Sequence, residues 1–301
     1  MKTLFTLLFP ATLLLASCTA DHTPGIDPVT PPVPLTVESA AIDATMITTR
    51  ANPMLTSGSI GIFLSGTGYT AVTNRRYDYA SPAWTPNGGA TNAIYLAGST
   101  ASVCAYYPWQ SGISNSTAVL LTSQVQDDVA KDISFALNRD MDGSSANSST
   151  TFAMKHAYAK VTFTFQRSNY PGICEVQKVE LKNILASTTL NIGTGKYATS
   201  TGSTAGTVSQ TKNVTVPTSG TVSWGSDILL VPCTPASTGI MLTITVDGKT
   251  MTTTIPKETY KPVAGEYKTI AIIVQGTAIN ATGVTTTDWV NGNISSVIPL
   301  P

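Results

Sequence analysis

Residues 241–255 read MLTITVDGKTMTTTI, and this stretch decides the fold class. Apolar and polar side chains alternate along 241–246 and again along 249–255, which is the pattern of a β-strand with one buried face. Asp247-Gly248 separates the two runs, and Asp-Gly in this position is the signature of a type I′ turn. The stretch therefore predicts a β-hairpin of two antiparallel strands.

Strand-like segments of the same kind occur along most of the chain. They are short, rich in β-branched or aromatic residues, and separated by turn-forming residues. Only residues 127–133 indicate a short helix. Many short strands with turns between them predict an all-β protein built as a β-sandwich. We predict strands at 35–39, 59–64, 101–107, 160–165, 175–181 and 267–274.

The length of the chain and one polar stretch predict how it divides. After removal of an export signal, a chain of 301 residues can form one large domain or two ordinary ones. Residues 142–149 read DGSSANSS, which is typical of a linker. We therefore predict an amino-terminal β-sandwich over residues 51–150 and a carboxy-terminal β-sandwich with a tail over residues 151–301.

The amino terminus has the pattern of an export signal. Lys2 precedes an apolar run at 4–15, which is too short to span a bilayer as a stable helix. The next residues, LASC at 15–18, resemble the lipobox of bacterial lipoproteins. The resemblance implies a signal peptide over residues 1–17 and a lipid anchor on Cys18, with an ordinary signal peptide as the alternative. A proline-rich tether and a first strand-like segment complete residues 18–50.

The composition argues against nucleic acid as a partner. Lys and Arg together number 17, as do Asp and Glu, so the formal net charge is zero. Binding to nucleic acid needs a basic surface that displaces counterions. Charged residues make up only 11% of the chain, and Thr, Ser, Gly and Asn supply its polarity instead. Such a composition is typical of extracellular β proteins.

The sequence has no recognisable catalytic or metal-binding pattern, so we predict neither an enzyme nor a cofactor. His156 has no carboxylate or thiol motif beside it, which favours a structural hydrogen bond. Residues 140–143, DMDG, begin like a calcium loop but lack its later ligands, which favours a plain turn. Cys104, Cys174 and Cys233 match no metal spacing and allow at most one disulfide, and Cys104 is predicted to be a buried small hydrophobe.

An ordered series of short motifs resembles a known family. It runs through TR at 49–50, LTSGSIGIF at 55–63, AYYP at 105–108, FAMKHAYAKV at 152–161, NIGTGKY at 191–197, LLVP at 229–232, VDG at 246–248 and AGEY at 264–267. In this order the motifs resemble the fimbrillin family, the subunits of type V pili in Gram-negative anaerobes. The resemblance implies two tandem transthyretin-like β-sandwich domains. It also implies a lipid-anchored outer-membrane precursor that assembles with other fimbrial subunits at the cell surface.

The same resemblance assigns a processing site. In that family an arginine-specific maturation protease removes the segment ahead of the first domain, and the matching bond here joins Arg50 to Ala51. Loss of the segment Leu35–Ile42 would expose an apolar groove and unpaired backbone groups at an edge of the first sandwich. Donor strand exchange would fill that groove with a strand from the next subunit, such as Val284–Trp289 or Ile294–Leu300. Arg75-Arg76 is an alternative site for the same protease.

The sequence leaves a second function open. A tip adhesin, or a stand-alone surface lipoprotein, would bind carbohydrate or a host protein through its loops. Tyr77, Tyr79 and Trp84 fit either exposed rings that stack on sugars or ordinary core residues. Pro299 and Pro301 suit a chain end more than a long central strand, and a tail that stays on its own subunit would favour the tip or anchor role.

Overall fold

β-Strands form nearly all of the regular structure in the part of the chain that the computed structural model describes, which is residues 31–42, 54–198, 206–276, 278–287 and 295–296. The strands up to residue 156 are β1 (Val33–Pro34), β2 (Thr36–Ile42), β3 (Ser59–Ser65), β4 (Val72–Ala80), β5 (Ala83–Pro86), β6 (Tyr95–Leu96), β7 (Ala101–Tyr107), β8 (Val119–Thr122), β9 (Gln124–Gln126), β10 (Ser134–Met141) and β11 (Ser149–His156). The later strands are β12 (Ala159–Arg167), β13 (Glu175–Ile184), β14 (Ser187–Asn191), β15 (Lys196–Tyr197), β16 (Gly206–Thr215), β17 (Val222–Ser223), β18 (Asp227–Leu230), β19 (Ile240–Val246), β20 (Lys249–Ile255), β21 (Tyr267–Val274), β22 (Ile279–Thr287) and β23 (Ser295–Ser296).

The all-β prediction is confirmed. Within the described residues the helical structure consists of two short 3-10 turns, Gly89–Asn92 and Val129–Lys131. The second turn is all that forms of the helix predicted at 127–133. Asp128 caps it, because its carboxylate accepts a hydrogen bond from the Ala130 N–H at 2.8 Å. None of the helical elements in these residues is long and apolar enough to cross a membrane.

The hairpin predicted from residues 241–255 is present. β19 and β20 pair antiparallel from Ile240↔Ile255 to Val246↔Lys249. Asp247 and Gly248 have φ values of 47° and 75°, and a type I′ turn requires positive φ at both central residues. Every second residue of β19 is buried, as the alternation of its sequence predicts.

The side chain of Asp247 also ties this turn to a neighbouring loop. Its two carboxylate oxygens accept hydrogen bonds from the backbone N–H groups of Glu175 at 2.9 Å and Cys174 at 3.0 Å. These two bonds hold the pKa of Asp247 below its usual value, and the bond from Glu175 has the larger effect. The ionised carboxylate is therefore the form that the folded chain stabilises.

We expect acid to weaken this tie. Because the pKa of Asp247 is lower in the folded than in the unfolded chain, its contribution to stability is present above the unfolded value of about 3.9 and is lost as the pH falls through the folded value. When the pH is lowered from about 5 to about 2, the melting temperature of the Asp247→Asn variant should consequently fall less than that of the wild type. Circular dichroism at a series of pH values measures this difference. Asp140→Asn, at an exposed position on β10, is the matched control, and equal behaviour of the two variants would contradict the prediction.

The amino-terminal strands close into a barrel. The order is β10-β11-β2-β5-β4-β3-β7, and β7 pairs with β10 to complete the ring. Neighbouring strands run antiparallel except β2 and β11, which run parallel. Tyr77, Trp84 and Phe152 are among the largest side chains of the single apolar core inside this barrel.

The carboxy-terminal strands form two sheets that pack on one another, as the sandwich prediction requires. One sheet has the order β23-β22-β21-β12-β18-β9 with β17 also on β12, and the other has the order β16-β13-β19-β20. One apolar core lies between the two sheets. It includes Phe163 and Phe165 of β12, Leu181 of β13, Ile244 of β19 and Trp224. The ring of Trp224 meets that of Phe165 edge-on, with centroids 5.9 Å apart.

A third apolar cluster joins the two halves of the chain. It combines Tyr106 and Phe135 of the barrel with Leu190 and Val231 of the later strands. In addition, β8 pairs with β14 and β9 pairs with β18, so strands from the first half complete sheets of the second half. The two main cores draw on residues 35–154 and 159–279. The division near residue 150 into two tandem domains remains a prediction.

Candidate functional site: strand β2 and its seams

β2 lies in the wall of the barrel between β11 and β5. It runs parallel to β11 through six residue pairs, from Thr36↔Ser149 to Ile42↔Met154. On its other side it pairs with β5 at one position, Val37↔Trp84. The segment that the sequence placed at a sandwich edge therefore occupies an interior position, although one of its two neighbours holds it weakly.

The inner face of β2 is apolar and the outer face is polar. Val37 and Ala40 of β2, with Leu35 directly before the strand, belong to the core inside the barrel. The pairing with β11 shifts by one residue between Thr150 and Thr151, and this bulge explains why buried positions 37 and 40 are three residues apart. Burial of Leu35 and Val37 stabilises the strand by roughly 1.5–3 kcal/mol each.

Hydrogen bonds at the outer face and at the ends of β2 fix its register. Glu38 Oε1 accepts from Ser149 Oγ at 2.7 Å, and Ser39 Oγ donates to Thr151 Oγ1 at 3.0 Å. At its start, the Leu35 N–H donates to the Ile94 carbonyl at 2.7 Å. These contacts join β2 mainly to β11, since both side-chain bonds reach that strand.

At two places in the barrel, neighbouring strands are joined by few residue pairs, and we call each of these places a seam. One is the β2–β5 seam, Val37↔Trp84, and the other is the β10–β11 seam, Ser134↔His156 and Phe135↔Lys155. The β2–β11 pair is thus joined to the rest of the ring by three residue pairs. None of the described residues accepts a hydrogen bond from the buried indole N–H of Trp84 at the first seam. Because an unsatisfied buried donor costs about 1–3 kcal/mol, that seam is less stable than its apolar packing suggests.

The predicted processing and lipidation residues lie outside the described residues. These are Cys18, Arg50 and Ala51. Met54, the first described residue after Ile42, forms an isolated antiparallel bridge with Ala41. The Leu55 N–H donates to the Ala40 carbonyl at 2.8 Å, so the chain returns beside the end of β2 before it enters β3.

The alternative cleavage site, Arg75-Arg76, lies inside β4. Arg76 pairs with Gly61 and Arg75 with Ile62 of β3. Arg75 Nη1 donates to Asn92 at 3.1 Å, and Arg76 Nε is 2.6 Å from an oxygen of Asp78. The guanidinium of Arg76 also lies 5.0 Å from the ring centroid of Trp109. Both arginines are therefore held in the barrel wall by backbone and side-chain contacts.

The tail segments predicted as donor strands lie partly within the described residues. Val284–Thr287 belongs to β22, which pairs antiparallel with β21 from Tyr267↔Thr287 to Val274↔Ile279. Ser295 and Ser296 form β23 on the other edge of β22. The remaining residues of both segments, 288–289, 294 and 297–300, lie outside the described part of the chain.

His156 makes structural contacts, as its sequence context predicts. Its Nδ1 is 2.9 Å from Asp132 Oδ2 and 3.3 Å from Ser134 Oγ. In a catalytic triad the serine and the aspartate contact opposite nitrogens of the ring, whereas here both contact Nδ1. Sequence reasoning missed Asp132 as a partner, because only the pairing of Ser134 with His156 between β10 and β11 brings it close.

The aromatic and cysteine side chains singled out in the sequence lie in the apolar cores or pack against them. Tyr77 and Trp84 are buried, and Tyr79 packs edge-on against Trp84 with ring centroids 5.3 Å apart. The alternative of exposed sugar-stacking rings is therefore wrong for Tyr77 and Trp84, while Tyr79 is half-buried against the core. Cys104, Cys174 and Cys233 are buried free thiols. Burial raises the pKa of the Cys104 thiol to about 12, as expected for a buried small hydrophobe.

The family of this chain follows from a match along most of its length. Residues 49–289 match the sequence profile described as fimbrillin-like. The chain belongs to the fimbrillin-like family. This confirms the resemblance seen in the ordered motifs. The matched range starts beyond β2 and includes Arg50.

Solved structures with the same fold come from Bacteroides. The fimbrillin-like chain superimposes on a candidate cell adhesion protein from Bacteroides ovatus with a TM-score of 0.62 at 18% identity, covering 88% of this chain and 100% of the other. A candidate cell adhesion protein from Bacteroides uniformis gives a TM-score of 0.58 at 19% identity, with coverage of 86% and 99%. One from Bacteroides fragilis gives 0.52 at 12% identity, with coverage of 87% and 100%. At these identities the similarity establishes the fold alone. A comparison with curated proteins gives no match.

Proposed function

We propose that this fimbrillin-like protein is a structural, non-enzymatic subunit of a cell-surface fimbria. It is exported as a lipoprotein, anchored in the outer membrane through Cys18, cleaved after Arg50 by an arginine-specific protease, and polymerised with other fimbrial subunits by strand exchange. The observation that carries the proposal is the position of β2. This strand fills the barrel wall but precedes a segment that contains Arg50, so one cut would separate it from β3.

Cleavage after Arg50 would turn β2 from a covalent part of the barrel into a bound peptide. Its departure would leave the β11 backbone unpaired and would empty the places of Leu35, Val37 and Ala40. An incoming strand can use both features, since backbone pairing provides affinity and side-chain pockets set the register. β2 pairs with β5 at one position and with β11 at six, so an incoming strand would displace β2 most easily from the β5 side.

The placement of Arg75 and Arg76 argues against them as the processing site and leaves Arg50 as the candidate. A protease binds its substrate as an extended, accessible segment. Arg75 and Arg76 would have to leave a strand that is paired with β3, and they would lose their contacts with Asn92 and Asp78. Cleavage there would open the barrel instead of releasing one strand.

One observation favours a second role within the same family. Val284–Thr287 of the tail already pairs with β21 of its own sheet. A subunit that keeps its tail in this way cannot donate that strand to a neighbour. The second candidate is therefore a tip or anchor subunit. Such a subunit stands at one end of the fibre and does not donate this strand to a neighbour.

Arginine-specific digestion of the purified, unlipidated precursor tests the proposal. We expect a new amino terminus at Ala51, followed by oligomers that resist SDS and appear as a ladder on a gel. Clean cleavage that leaves a stable monomer would contradict the stalk role and would support the tip or anchor role. Absence of cleavage at Arg50 would contradict the maturation step itself.

Arg50→Lys is the matched control variant for this experiment. It keeps the positive charge, so any loss of cleavage comes from protease specificity and not from altered folding. A lysine-specific protease should then cut after residue 50 and restore the oligomers. Failure of the restored cut to produce oligomers, when the wild type forms them, would show that Arg50 acts in assembly in some way other than cleavage.

A further inference from the structure

A cavity of about 200 Å³ lies where the barrel meets two segments from outside it. β3, β4 and β7 provide one wall, while the loop at 114–117 and the turn after β14 at 191–194 provide the other. Phe63 and Cys104, which pair across β3 and β7 and are both buried, form the apolar part of the lining. Small ligands commonly bind in concave sites of this kind, where an apolar surface meets a few fixed polar groups.

The polar lining of the cavity is uncharged. Its amides belong to Asn115, Asn138 and Asn191, and hydroxyl groups of Ser and Thr surround them. No Lys, Arg, Asp, Glu or His contributes among the described residues that line it. Such a lining gives no counter-charge to an anion or a cation, because a buried or half-buried charge needs a partner of opposite sign. It suits a neutral ligand that both donates and accepts hydrogen bonds.

Two of the amides have their carbonyl oxygens occupied by the protein. Asn115 Oδ1 accepts from the N–H and the hydroxyl of Thr117, both at 2.8 Å. Asn191 Oδ1 accepts from the Thr194 N–H at 3.1 Å. These bonds orient both side chains and leave their NH₂ groups as the available donors.

The third amide, that of Asn138, lies against the turn at Gly193. The Asn138 N–H donates to the Gly193 carbonyl at 2.8 Å. A Cβ atom at residue 193 would lie 2.5 Å from Asn138 Oδ1, so the absence of a side chain there allows the amide to sit against the turn. The cavity is therefore lined by amides from three separate segments, and two of these amides are oriented by hydrogen bonds.

We propose that this cavity binds one neutral sugar ring. The hydroxyl groups of a sugar donate to and accept from amides and hydroxyls, and the C–H face of the ring matches the apolar surface of Phe63 and Cys104. The volume of about 200 Å³ lies below the range of about 300–1,000 Å³ that is usual for sites of drug-sized ligands, so it suits a single ring and not an extended oligosaccharide. This site is independent of β2, so it applies to a stalk, tip or anchor subunit.

Saturation-transfer NMR on the chain without its signal peptide tests this proposal. The probes are glucose, galactose, mannose and N-acetylglucosamine, each added separately at about 10 mM, because a single ring held by a few hydrogen bonds binds in the millimolar range. We expect signal transfer to at least one of them. Absence of transfer to all four sugars would overturn the proposal.

Variants of the two oriented amides locate the binding. Asn115→Asp and Asn191→Asp keep the oxygen that accepts from Thr117 or Thr194 but remove the NH₂ donor, so the local fold is retained. Each should weaken binding about fivefold or more, the effect of one lost hydrogen bond. Asn169→Asp, in an exposed turn away from the cavity, introduces the same charge and should leave binding unchanged.

A blocking variant provides a second readout that does not depend on the amides. Ala71 is exposed at the rim, and Ala71→Trp should fill the entrance without disturbing the core. We expect it to abolish the transfer that the wild type gives. Unchanged transfer in this variant and in both Asn→Asp variants would place any sugar contact elsewhere and would overturn the proposed site.

Discussion

Gly61→Ala is expected to lower the free energy of unfolding by about 3 kcal/mol, since the new methyl group has no room. A Cβ atom at residue 61 would overlap the Tyr106 ring at Cε1, and it would also lie 2.6 Å from Asn74 Oδ1. Tyr106 cannot easily move aside, because it is fully buried and its hydroxyl is 2.7 Å from Asn74 Oδ1 and 3.0 Å from the Gln110 N–H. A close-packed interior resists an inserted methyl group when its neighbours are fixed in this way.

Urea denaturation followed by tryptophan fluorescence measures the effect. Gly112→Ala is the matched control, because a Cβ atom there meets nothing within 4 Å. This control should stay within about 0.5 kcal/mol of the wild type. If Gly61→Ala were equally neutral, the ring of Tyr106 would not be fixed against β3.

Local sequence patterns were sufficient to predict the elements whose partners are close in the chain. The hairpin of β19 and β20 has its turn, its alternation and its register within fifteen residues, so each signal supports the others. β21 spans the same residues that its β-branched composition predicted. These are the parts of the fold in which a segment and its partner are specified together.

The barrel itself could not be predicted in this way. β2 was recognised as a strand from its alternation, but its parallel partner β11 lies more than a hundred residues further along the chain. β8 and β9 were missed because they are only four and three residues long. In β8 the exposed Leu120 also breaks the expected alternation of apolar and polar residues. Pairing of such segments depends on the shape of the whole core and not on their own composition.

The same reason limited the prediction of sites. Asn115, Asn138 and Asn191 are unremarkable in the sequence, since asparagine is common in turns, and they form a cavity only after β14 has packed beside the barrel. Asp132 comes close to His156 through β10 and β11 in a comparable way. In contrast, the segment Leu35–Ile42 was singled out because the family resemblance implies a processing site after it, at Arg50.

Val37→Asp should have the other large effect, because it places a carboxylate on the inner face of β2. Val37 is 1% exposed and lies opposite Trp84 at the β2–β5 seam. A charge there has no partner, so we expect the free energy of unfolding of the uncleaved chain to fall by about 3 kcal/mol or more. Urea denaturation of the intact precursor measures this loss and requires no assumption about processing.

Cleavage after Arg50 converts the same substitution into a test of strand release. Once β2 is held only by non-covalent contacts, a loss of about 3 kcal/mol corresponds to a roughly 100-fold weaker hold on the released segment. Gel filtration with mass spectrometry of the cleaved protein follows the fraction that retains the segment over time. Thr36→Asp is the matched control, since the adjacent side chain points to solvent and the same carboxylate there should change little. Equal retention of the segment in the two variants would mean that the inner face of β2 does not hold the segment in the barrel. A strand from another subunit would then have no apolar groove to bind.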